Sequence, residues 1–132
     1  MQMREFVGQV QNKARLPSVD EAINATRATL ETLAERLGAD EARHLSAQLP
    51  AEIGKYLERA LPTSDRFDSD EFLKRVSERE GVDLPVSVHH ARAVLEALQA
   101  AVSAGEISDV LERLPDDYAR LFAGATGRMP RA

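Results

Sequence analysis

Apolar residues return every three or four positions along most of the chain, a spacing that predicts helices from end to end. Phe6, Val7 and Val10 mark the inner side of a first helix over about 2–14. Leu16-Pro17 ends it, because the residue before a proline is driven out of the helical region. Ser18 and Glu21 have capping-box spacing, so Ser18 is expected to cap the next helix while Glu21 reaches back. The stripe Ile23, Thr26, Leu30, Leu33, Leu37 carries that helix to Gly38, which suits its C-terminal cap. A short helix over about 40–48 turns Ala42, Leu45 and Leu49 inward. Pro50 then opens a fourth over about 51–61, with Ile53, Leu57 and Leu61 inward.

The same pattern is then written again. Phe6 and Val10 return as Phe72 and Val76, 66 positions later, and Leu49-Pro50 returns as Leu114-Pro115, 65 positions later. Arg27, Leu30, Glu31 and Leu33 return as Arg92, Leu95, Glu96 and Leu98, and the second stripe is Val88, Ala91, Leu95, Leu98, Val102. The second copy predicts a helix from Asp68 to about 80, one over about 87–102 after Leu84-Pro85, a short one over about 107–113, and a last from Pro115 through Phe122. A frayed tail over about 124–132 follows. A fixed offset across separate motifs marks a duplicated folding unit, and halves this short are expected to share one core. The expected architecture is all-α: a tandem duplication of a four-helix unit, about 2–62 and 68–123, packed as one compact bundle with pseudo-twofold symmetry in a single domain over 1–132. The stripe-bearing helices should be central. Five of the six prolines follow a leucine, read as a core plug ending one element and a proline setting the start of the next.

Composition fits this picture: aromatic residues make up 5 %, and the net charge is −5. Neither half has a basic excess, since 1–66 carries 9 basic and 10 acidic residues and 67–132 carries 8 and 12. That argues against nucleic acid held by phosphate contacts and against an anchor on anionic lipid. The chain has no cysteine, hence no disulfide framework or thiolate chemistry. No signal peptide or membrane-length apolar run is read, so a cytoplasmic location is expected.

The ordered set of Glu5-Phe6, Val10, Thr26 to Leu37 and Ala47 to Pro50 is matched by Phe72 to Val76, Ala91 to Leu98, Ser103 to Glu106 and Arg113 to Pro115. Together they resemble a bacterial family, Domain of Unknown Function 2267, over roughly Arg4 to Phe122. The resemblance implies an all-helical protein of two related halves and no assigned activity. The first copy departs at Asp40-Glu41, where the second has Gly105-Glu106.

Candidate chemistry is sparse. His89 and His90 are adjacent, so on a helix they diverge by about 100°. Glu41 and His44 form a lone Glu-x-x-His whose repeat position holds Asp109, so a di-iron ligand set is incomplete. The histidines are read as surface residues, and no metal or cofactor is expected. Asp116-Asp117 and Asp68 to Glu71 fall at helix starts, where capping and the helix dipole account for them. Arg27 and Arg92 are the candidate site residues. Each has a glutamate four positions later, Glu31 and Glu96, and each is read as a structural contact to a carboxylate or helix-end carbonyl, or as a contact to an anion. No catalytic constellation is found, so a non-enzymatic helical module binding a protein partner or its own copy is expected. The alternative is a small-ligand or helical-peptide domain using a groove between the halves.

Overall fold

The computed structural model describes residues 1–59 and 65–123. Within them the fold is all-helical: α1 (Met3–Ala14), α2 (Val19–Leu37), α3 (Ala39–Ser46), α4 (Ala51–Arg59), α5 (Ser69–Glu80), α6 (Leu84–Ala101), α7 (Ala104–Glu112), a 3-10 turn (Asp116–Tyr118) and α8 (Ala119–Ala123). The expected helix end and seam at 60–64, Leu61 included, and the expected tail at 124–132 lie outside the described residues. No described helix is long and apolar enough to cross a membrane.

Local chemistry sets the helix ends. Ser18 Oγ accepts the Glu21 N–H at 3.1 Å, and Asp68 Oδ1 accepts that of Glu71 at 2.9 Å. Arg15 and Gly81 hold equivalent left-handed positions after α1 and α5, with φ of 56° and 78°. Glycine adopts that conformation freely; Arg15 does so at some conformational cost.

α1 and α5 each pack against both α2 and α6, which also touch one another. α5 runs antiparallel to α2. The Glu80 carbonyl accepts from Asn24 Nδ2 near the start of α2 at 2.9 Å, and Arg36 Nε donates to the Phe67 carbonyl near its end at 2.8 Å. α3 and α4 cover α2, and α8 lies on α6. The core runs continuously from Phe6 and Val10 through Leu30, Leu33, Leu95 and Leu98 to Tyr118. In α2 the burial departs from the predicted stripe: Thr26, Leu30 and Leu33 are buried, while Ile23 and Leu37 are only partly so. Ala22, Ala25, Ala28, Thr29 and Thr32 are also buried, and Thr26 and Thr32 satisfy their hydroxyls on the carbonyls of Ala22 and Ala28, both at 2.8 Å.

Several expectations need correction. α6 begins at Leu84, not near Ser87. Pro85 lies within its first turn, where its missing N–H forfeits nothing, so this Leu-Pro pair starts the helix rather than preceding it. Leu84 is 47 % exposed and is no core plug, whereas Leu16, Leu49 and Leu114 are buried. α7 begins earlier than 107, because Ser103 Oγ accepts the Glu106 N–H at 3.1 Å. The last segment is a 3-10 turn followed by a short helix.

Candidate functional site

The chemistry gathers where α2 and α7 end. Gly38, with φ of 93°, joins α2 directly to α3 and caps α3 without a side chain. Beside it opens a cleft of about 530 Å³ lined by Arg36, Leu37 and Gly38, by Asp65 and Arg66, and by Glu112 and Arg113. Arg36 is held against the wall. Its Nε binds the Phe67 carbonyl and its guanidinium lies 5.9 and 5.8 Å from the Phe67 and Tyr118 ring centroids. The Tyr118 hydroxyl donates to the same carbonyl at 2.8 Å, and burial pushes its ionisation well above the usual phenol range.

Asp65 accepts from Arg75 at 2.7 Å. Arg75 also binds Glu71 at 2.8 Å and stacks 3.9 Å from the Phe67 ring centroid; hydrogen bonds to Glu71 and Asp65 hold it firmly protonated. The same guanidinium meets Glu35 at 3.4 Å, so it is shared among three carboxylates. The cleft lining itself carries three guanidinium groups and two carboxylates, Asp65 and Glu112.

Behind Arg113 lies a buried carboxyl pair. Arg113 Nε donates to Glu41 Oε1 at 2.7 Å, and Glu41 is only 3 % exposed. Glu106, also buried, lies close enough to Glu41 for the two carboxyls to share a hydrogen bond when one of them carries a proton. One oxygen of each, Oε2, is buried without a protein partner. Two carboxylates supply only acceptors, so a proton shared between them is the donor this arrangement lacks. Burial first, then the hydrogen bond and negative charge of Glu41, push the Glu106 carboxyl up to about 7.

The sequence-predicted residues lie elsewhere. Arg27 binds Glu31 at 3.0 Å, Asn24 Oδ1 at 2.7 Å and the Arg79 carbonyl near the end of α5 at 3.0 Å. Arg92 is exposed and donates to the Arg120 carbonyl at 3.1 Å. Glu96, the expected partner of Arg92, instead pairs with Lys13 at 3.1 Å. Neither Arg27 nor Arg92 lines the cleft.

Two other readings are corrected. His90 is not a surface residue; it is 7 % exposed, with Nδ1 hydrogen-bonded to Glu80 Oε2, whereas His44 and His89 are exposed. Asp117 does not cap its own helix. Its Oδ2 accepts both the N–H and the hydroxyl of Ser69, each at 3.0 Å, so it secures the start of α5 from 48 residues away. The Ser69 N–H bond holds the Asp117 carboxyl below the usual range. Among the described residues no group of three or more His, Cys, Asp or Glu side chains could hold a metal.

No curated protein matches the chain. Residues 3–121 match the model of a family described as "Uncharacterized conserved protein (DUF2267)", and the chain belongs to that family.

Proposed function

We propose that the chain is a non-catalytic binding protein, built as two related four-helix halves about a pseudo-twofold axis, that takes the anionic group of a small molecule in the cleft where the halves meet. The observation that carries the binding reading is the cleft itself, with Arg36 from one half, Arg66 from the segment between them and Arg113 from the other. Guanidinium groups present donors in a planar fork that suits carboxylate, sulfate or phosphate oxygens. The start of α3 at Gly38 adds partial positive charge, offset in part by Asp40 and Glu41 in its first turn.

Support for the duplication comes from matched burial. Phe6 and Phe72, Val10 and Val76, Leu30 and Leu95, and Leu33 and Leu98 are all 0 % exposed. The packing exchanges in the same way, with α1 on α6 as α5 is on α2. Glu41 and Glu106 are equivalent positions and touch each other, as equivalents do on a twofold axis. The protein-partner reading has less behind it: the exposed large apolar residues among those described are Met1, Val19, Leu84 and Val86.

Sulfate is a suitable probe because its charge is constant near neutrality. Calorimetric titration at pH 6 is expected to give saturable binding, weakened about tenfold in Arg113→Gln and severalfold in Arg66→Gln, on the scale of a lost charge-assisted hydrogen bond. Wild-type binding that both variants retain unchanged would rule out the cleft, as would no saturable binding at all.

A further inference from the structure

The cleft and the buried carboxyl pair share one residue. Arg113 lines the cleft and, through Nε, binds Glu41, which faces Glu106. The Arg113 side chain is 55 % exposed while the Glu41 side chain is 3 % exposed, so one guanidinium spans from solvent to the buried pair. We infer that this pair makes the cleft a proton-linked anion site: the pair holds a proton when an anion is bound and releases it when the cleft empties. The inference rests on the anion-binding reading of the cleft and names its regulation.

The argument is one of charge and geometry. With a proton between Glu41 and Glu106, the pair carries a single negative charge, answered by Arg113. The Arg113 N–H groups not used on Glu41 then join Arg36 and Arg66 as donors to an anion, with Asp65 and Glu112 as the opposing charges of the lining. Without that proton, two negative charges sit buried beside one guanidinium, and their field is poorly screened because water is excluded. They compete with an anion for Arg113. The charged groups facing Glu106 are Glu41 from α3, Asp109 from its own helix and Arg113 just beyond it. Burial opposes its ionisation most, Glu41 and Asp109 add to that, and Arg113 favours ionisation without prevailing. The unpartnered Oε2 atoms of Glu41 and Glu106 point the same way, since buried acceptors without a donor are rare unless a proton completes them.

Linkage is reciprocal, so an anion that binds the protonated form more tightly must also raise the proton affinity of the pair by the same factor. A tenfold preference corresponds to a shift of about one pH unit in the midpoint.

The experiment is calorimetric titration of sodium sulfate into wild type, Glu106→Gln and Glu41→Gln at pH 6 and pH 8, with ionic strength held constant by chloride. Wild type is expected to bind sulfate about tenfold more weakly at pH 8 than at pH 6. Glu106→Gln should bind equally at both, because a neutral amide replaces the titrating carboxyl and the histidines are left in place. In Glu41→Gln the hydrogen bond and negative charge of Glu41 are lost while burial of Glu106 remains, so the difference between pH 6 and pH 8 should shrink. This second variant decides the matter should the first fail to fold. Equal wild-type affinity at the two pH values overturns the coupling and leaves the cleft reading standing. A pH dependence unchanged in either folded variant also overturns it. No sulfate binding by wild type at either pH overturns both.

Discussion

Replacing Leu30 or Leu95 by alanine is expected to lower the free energy of unfolding by about 2–5 kcal/mol in each case. Both side chains are 0 % exposed and belong to the same continuous core. Truncation removes burial of three carbon atoms and leaves a cavity that surrounding helices close only partly. α2 and α6, which carry these residues, each meet three other long helices, so neither site can relax by moving one neighbour. Urea denaturation followed by circular dichroism measures the loss as a shift in midpoint at constant slope. A loss below about 1 kcal/mol at either position would mean that the equivalent stripes are not equivalently buried.

The second large effect is expected at His90. His90→Ala should destabilise by about 3–5 kcal/mol, the range for breaking a buried polar pair from one side. The Glu80 side chain is 2 % exposed, its Oε1 has no partner, and Oε2 would lose the His90 ring. The mutant must keep an unanswered carboxylate in the core or protonate it. Replacing both residues together, as Glu80→Met with His90→Leu, should cost less than His90→Ala alone, because no orphaned charge is left. Denaturant unfolding at pH 7 compares the two. A single mutant more stable than the double would remove the basis for treating Glu80 and His90 as a buried pair.

Much of the helical layout was legible because the apolar spacing and the caps agreed. Ser18, Asp68 and Gly81 each end a helix as their residue types require. Positions lacking such agreement were misread. Pro85 sits inside the first turn of α6, a place as favourable to proline as the residue before a helix, so the start could not be told from the dipeptide alone. The histidines were read as surface residues because polar side chains usually lie outside. α6 buries residues over most of its girth, including Ser87 and His90, and no alternation of polar and apolar positions reveals that.

The site was less legible than the fold. Arg27 and Arg92 stand out in sequence because they repeat, yet both contact backbone carbonyls and neither lines the cleft. The cleft arginines Arg36, Arg66 and Arg113 come from three separate segments and share no spacing. Glu41 and Glu106 did leave a signal. They stand 65 positions apart, the same offset as Arg27 and Arg92 or Leu49 and Leu114, and Glu41 lies one helical turn before the buried Leu45. A glutamate recurring at that offset beside inward-facing positions points to a buried acid, but only the three-dimensional arrangement brings the two together.

The central claim is that anions bind among Arg36, Arg66 and Arg113. It is tested most directly by titrating sulfate at pH 6 while following the Nε–H groups of the arginines by ¹⁵N–¹H NMR. Saturable shifts at Arg36, Arg66 and Arg113, with Arg27 and Arg92 unmoved, are the predicted result. Saturable shifts at Arg27 or Arg92 with the cleft arginines unmoved, or no saturable shift at any of the five, would contradict it.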